Sequence, residues 1–197
     1  MRADAATLRV AVFPRAGALA NAVLVLGGAA LVALAAQLEI HLGFTPVPIT
    51  GQTFAVLLVG ASLGALRGTA SLALYFAAGL VGAPVYSGGE EGWEIVSGVT
   101  GGYLVGFVVA AAVTGWLAEL RWDRRFSSAL SAMLIGSVVI YAFGLPWLAH
   151  VADLGWQKTF ENGLYPFVVG DLAKLWLAAA LLPATWRLVE RVTARRP

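Results

Sequence analysis

The sequence predicts an all-α membrane protein with six transmembrane helices and both termini in the cytoplasm, and three observations predict it. The chain of 197 residues is 59% hydrophobic and only 12% charged, with mean hydropathy +0.81, whereas soluble domains carry about 25% charged residues. Residues 16–38, 40–66, 68–89, 95–118 and 126–152 contain no Asp, Glu, Lys or Arg. Basic residues occupy alternate connections: eleven of the thirteen are Arg2, Arg9, Arg15, Arg67, Arg121, Arg124, Arg125, Arg187, Arg191, Arg195 and Arg196. An excess of Arg and Lys on one set of loops marks the cytoplasmic side.

The helices are expected at 17–40, 51–66, 69–83, 101–119, 127–149 and 165–187, within one integral membrane domain spanning 1–197. Helix 1 is long enough to stay as an anchor rather than a cleaved signal. Helices 2 and 3 are short, and Arg67 is expected in the turn joining them. Arginines placed to set topology argue against nucleic acid as a partner, despite the net charge of +2. The chain has no cysteine, which excludes disulfides and thiolate metal sites, and no metal site or cofactor is expected.

Three longer segments then face outward. In 41–50, Pro46 and Pro48 fix φ and forbid regular helix, predicting a stiff extended hairpin. Segment 84–100 mixes glycines, acids and aromatics, and a loop of that length is uncommon unless it forms a lid or binding element. Segment 150–164 is the third. Their elaboration, against short basic turns on the other side, predicts an outward-facing site.

The last helix cannot cross the bilayer without carrying Asp171 and Lys174 with it, because only twelve uncharged residues separate Lys174 from Arg187. Burying either charge costs on the order of 2.5–3.5 kcal/mol on insertion scales. A spacing of three puts both on one helical face, beneath the outer loops. They are read as lining a pocket for a small polar ligand with donors and an acceptor or anion; a mutually neutralising ion pair is the structural alternative. Gln52 and Thr50 at the start of helix 2 are second-choice polar contacts. Tyr75, Trp93, Tyr103 and Trp147 are candidate walls, although an interfacial aromatic belt explains many such residues.

Gly60-Ala61-Ser62-Leu63-Gly64 matches the G-x-S-x-G pattern of serine hydrolases. That chemistry needs a strained turn and a histidine base; here the segment lies in a helix, with His41 and His150 assigned to the other side of the membrane. Close helix packing is the better reading of Gly60 and Gly64, and no enzyme activity is expected. Gly98, Gly102 and Gly106 recur every fourth residue and suit packing as well, with bare backbone that a ligand could approach. No P-loop is present, so energy from ATP would come from another chain.

Several ordered segments carry a resemblance. Pro46-Val47-Pro48-Ile49-Thr50-Gly51-Gln52-Thr53-Phe54, Gly79-Leu80-Val81-Gly82-Ala83-Pro84-Val85 with Gly88-Gly89, and Thr100-Gly101-Gly102-Tyr103-Leu104-Val105-Gly106-Phe107 come first. Leu145-Pro146-Trp147-Leu148 and Pro166-Phe167-Val168-Val169-Gly170-Asp171-Leu172-Ala173-Lys174 follow. Together they resemble the BioY family of biotin-specific substrate-binding (S) components of energy-coupling factor (ECF) transporters. Glu90-Glu91 stand where the family often has a basic residue, Val99 replaces its usual proline, and its helix-1 alanine motif is only partly matched, by Val25 and Ala29.

The resemblance implies an S-component fold in a bacterial cell membrane and uptake of biotin from outside. It also implies partners: a transmembrane coupling protein and two cytoplasmic ATPases that drive reorientation of the S component. An S component for another small vitamin is the alternative. Asp171 and Lys174 fall on the family's binding positions. Asp171 is assigned to the ureido N–H groups and Lys174 to the carboxylate, with Lys174 on the ureido carbonyl as the other arrangement.

Overall fold

The computed structural model describes residues 7–15 and 17–194. It contains helices α1 (Leu8–Val12), α2 (Ala18–Ala36), α3 (Gln52–Leu63), α4 (Ala65–Leu80), α5 (Trp93–Ser97), α6 (Gly101–Glu119), α7 (Phe126–Val151), α8 (Trp156–Gly163) and α9 (Tyr165–Ala194), with strands β1 (Glu39–Ile40) and β2 (Ile49–Thr50). Among the described residues, four helices are long and apolar enough to cross a membrane: α2, α6, α7 and α9 over Tyr165–Val192. This is a multi-pass membrane protein.

The bundle is built around α6, whose apolar window is 67% buried inside the protein, against 11% for α2. Buried Ala111 and Thr114 of α6 face α3, while α2 leaves Leu19, Val23, Leu26 and Leu34 exposed on its outer side. Leucines pointing away from the core are what a lipid-facing helix presents. Close approach comes from glycines. A Cβ on Gly60 would lie 2.3 Å from the Thr114 hydroxyl and 2.6 Å from the Ala111 carbonyl of α6, and one on Gly68 would lie 2.8 Å from the Gly60 Cα. The G-x-S-x-G segment is thus the crossing of α3, α4 and α6. Gly102 and Gly106 admit α7, a Cβ on Gly102 meeting Trp147 Cβ at 2.3 Å.

The structure moves some expected boundaries. The break between the two short helices falls at Gly64, not at Arg67, which lies in the first turn of α4. Gly64 has φ +86°, a left-handed conformation open to glycine at little cost. The chain resumes as helix where the Ala65 N–H donates to the Glu119 carboxylate at 2.9 Å, a negative group at a helix N-terminus. Helix α2 stops at Ala36, short of residue 40, because Glu39 and Ile40 pair antiparallel with Thr50 and Ile49. That pairing makes the Pro46–Pro48 segment the tip of a hairpin. Two segments expected as loops contain the short helices α5 and α8.

At the end away from the hairpin, the turn Trp122–Arg124 is clamped to α9. Buried Asp123 accepts a hydrogen bond from the Trp186 indole. The Arg124 guanidinium sits 3.4 Å from the centre of the Trp186 ring and 3.9 Å from Glu190. Burial holds the Asp123 carboxyl above its ordinary range, against the opposing pull of Trp186 and Arg124.

The glycine contacts make a prediction. Gly102→Ala should destabilise the α6–α7 contact by about 1–3 kcal/mol, lowering the thermal midpoint read by tryptophan fluorescence. Gly27→Ala, where a Cβ meets nothing within 4 Å, should not lower the midpoint, since alanine suits a helix interior better than glycine.

Candidate functional site

A cavity of about 360 Å³ opens among the hairpin, the 81–100 segment and the adjoining ends of α3, α6, α7 and α9. That size falls in the range of small-molecule pockets, roughly 300–1,000 Å³. Its deep end is polar and its walls are mostly apolar.

The deep end is organised by Asp171 of α9, which is 5% exposed. One carboxylate oxygen accepts from the Lys174 ammonium at 2.9 Å and from the Thr53 hydroxyl of α3 at 3.2 Å. The other accepts a short hydrogen bond from the Tyr141 hydroxyl of α7. Lys174 also donates to the Thr53 oxygen at 3.2 Å. Donors from three helices converge on one carboxylate, which is how a buried charge is tolerated.

Around this cluster, Tyr103, Leu104 and Phe107 of α6, Ile140 of α7 and Phe167 of α9 supply apolar surface. Tyr103 packs edge-on against Tyr141 with centroids 6.2 Å apart, and its hydroxyl donates to the Gly163 carbonyl at 2.9 Å. Tyr103 and Tyr141 are therefore each fixed at the hydroxyl.

The sides come from two latched loops. The Tyr86 ring is buried against Gly79, where any Cβ would overlap it at 2.2 Å, and its hydroxyl donates to the Phe76 carbonyl at 2.7 Å. Burial pushes the Tyr86 phenol up to about 12. Ser87 donates to the Glu39 carboxylate in a short hydrogen bond, and the Gln37 amide donates to the Tyr86 carbonyl at 3.1 Å. The hairpin is tied to α8 by the Thr45 hydroxyl, which donates to the Asn162 carbonyl at 2.6 Å.

Of the eight residues singled out from sequence, Asp171, Lys174, Gln52, Thr50 and Tyr103 line the cavity. Tyr75, Trp93 and Trp147 do not. Tyr75 stands behind Gln52, whose amide donates to the Tyr75 oxygen at 2.6 Å, while the Thr50 hydroxyl donates to the Gln52 carbonyl at 2.9 Å. Trp147 donates its indole N–H to the Gly98 carbonyl at 2.8 Å, fixing the turn behind Gly98, Val99 and Thr100, which do line the cavity. Trp93 is 67% exposed at the start of α5. Thr53, Tyr141 and Phe167 are additional lining residues; Thr53 and Phe167 lie within the segments that carry the family resemblance, beside Gln52 and ahead of Asp171.

A profile of the BioY family matches residues 6–191. The chain belongs to the BioY family. A protein of Rhizobium etli named biotin transporter BioY is 42% identical over 160 residues, covering 78% of this chain and 85% of that protein. A protein of Thermotoga maritima with the same name is 39% identical over 153 residues, covering 77% and 87%. A crystal structure of the S-component for biotin from an ECF-type ABC transporter superposes with a TM-score of 0.78 at 25% identity, covering 86% of this chain and 92% of that one. The BioY fold here thus frames a cavity whose one lysine and one aspartate share a helix turn.

The Thr50–Gln52–Tyr75 chain is testable as a unit. Tyr75→Phe removes the acceptor of a buried amide donor, which should cost about 1–3 kcal/mol of stability. The cost of the double variant Gln52→Leu/Tyr75→Phe should fall short of the sum of the singles in thermal unfolding, because both delete one interaction. Additive losses would contradict the coupling.

Proposed function

We propose that this chain is the biotin-binding subunit of an uptake system in the bacterial plasma membrane, capturing biotin from outside and delivering it inward. The observation that carries the reading is the Asp171–Lys174 pair, 2.9 Å apart in a cavity whose walls are mostly apolar. A paired carboxylate and ammonium present an acceptor beside a donor. A urea presents the complement, N–H donors beside a carbonyl acceptor.

Separate grips on the two ends of biotin, which lie roughly 10 Å apart by ordinary bond lengths, do not suit groups in direct contact. A carboxylate placed on Lys174 would also meet Asp171. We therefore assign the ureido ring to this pair: its N–H to Asp171, its carbonyl to Lys174, with Thr53 and Tyr141 holding both in place. The bicycle then packs against Tyr103, Phe107, Ile140 and Phe167. Gln52 and Thr50 remain as polar contacts at the side.

The names of the relatives from Rhizobium etli and Thermotoga maritima support biotin as the cargo and transport, not catalysis, as the activity. The superposition on an ECF-type S-component supports membrane partners, which we take to be a coupling protein and two cytoplasmic ATPases that drive reorientation. Helices α3 and α4 would complete six membrane helices with α2, α6, α7 and α9 in one domain, both termini cytoplasmic. The twelve residues of α3 span only about 18 Å as helix, so that pair would cross with its ends shielded by the hairpin and α6.

Titration calorimetry of the purified protein should show biotin binding that Asp171→Asn and Lys174→Ala each weaken by about 10- to 100-fold, the range for hydrogen bonds to charged groups. Trp93→Ala should bind as the wild type does. Absence of biotin binding, or another vitamin bound in its place, would overturn the assignment.

A further inference from the structure

The cavity is charged unevenly along its length. Its lining holds the carboxylates Glu39, Glu90, Glu94 and Asp171, and among the described residues Lys174 is its one lysine or arginine. Lys174 belongs to the deep pair. Glu39 is committed to the Ser87 latch, with the His41 Nδ1 at 3.6 Å. Glu90 and Glu94 are exposed, one just after the turn Ser87–Gly89 and one in the first turn of α5, and they mark the solvent end of the cavity. With the ureido ring at the deep pair, the valerate tail leaves toward Glu90 and Glu94.

Resting on the ureido assignment above, we propose that Glu90 and Glu94 are specificity residues at the mouth, and that this chain favours biotin whose valerate is amide-linked over the free acid. The preference is strongest when the amide carries a cation. A free carboxylate emerging beside two carboxylates meets like charge, whereas an amide is neutral and an attached ammonium finds two counter-charges. Wrong-partner rejection by like charge is a general route to specificity. Amides of this class arise by peptide-bond hydrolysis of proteins that carry biotin on a lysine side chain. The chemistry that selects them is the mouth, and the chemistry that anchors them is unchanged from free biotin.

The experiment is calorimetric titration of the full-length protein with three probes: biotin, its primary amide, and its amide with ethylenediamine. The expected order of affinity is ethylenediamine amide, primary amide, free acid, with at least about a tenfold interval between first and last. Glu90→Gln/Glu94→Gln, both at exposed positions, should bring the three within about threefold. The wild type provides a check that needs no variant: at 0.5 M salt, where screening acts within roughly 4–5 Å, the same interval should shrink. Free biotin binding as tightly as the amides, or a preference that survives both the double variant and high salt, would overturn the proposal. Failure of all three probes to bind would instead remove the biotin reading on which it stands.

Discussion

The site depends on one buried carboxylate finding enough donors. Asp171 sits in a helix that has to cross the membrane, and its charge is tolerated because Lys174, Thr53 and Tyr141 all donate to it. Those donors come from α3, α7 and α9, so the requirement is also a tie between three helices that share no covalent neighbourhood. Thr53 does double service, donating to Asp171 while accepting from Lys174. Removing any donor leaves the others to carry an ion in a low-dielectric setting, where unpaired charge is expensive. Position, charge and helix packing are therefore one constraint.

The walls follow the same economy. Tyr103 and Tyr86 each bury a ring and anchor its hydroxyl on a backbone carbonyl, at Gly163 and Phe76 respectively, while Trp147, outside the cavity, holds the Gly98 carbonyl by its indole N–H. Aromatic side chains anchored at their tips give an apolar surface that does not collapse into the cavity. The hairpin and the Ser87–Gly89 turn are fixed by other short-reach bonds, Thr45 to α8 and Ser87 to Glu39. At the far end, Asp123, Arg124 and Trp186 hold the α6–α7 turn against α9. Both ends of α9 are thus restrained, and the polar cluster of the cavity is on its first turns.

Charge in an apolar run was the most legible feature of the sequence, because nothing about ordinary packing explains Asp171 and Lys174 there. The proline hairpin was legible too, since proline restricts its own backbone. Thr53 and Tyr141 were harder to read: hydroxyl residues are common in membrane helices and gain meaning only beside an ion. Trp93 and Trp147 looked like ligand walls by type and loop position, yet one faces outward and the other braces Gly98 from behind. Arg67 points to a turn by topology, whereas the backbone break is made three residues earlier by Gly64 with φ +86° and is capped by Glu119 from a distant helix. Long-range partners of that kind leave no trace in local sequence.

The central claim is that the Asp171–Lys174 pair grips the ureido ring rather than the valerate. Infrared difference spectroscopy of biotin carrying carbon-13 in the ureido carbonyl tests it directly. This band should move to lower frequency on binding and Lys174→Ala should largely remove the shift, while the carboxylate bands stay near their solution positions. A carboxylate band that shifts on binding and returns in Lys174→Ala, with the ureido band unmoved, would contradict it.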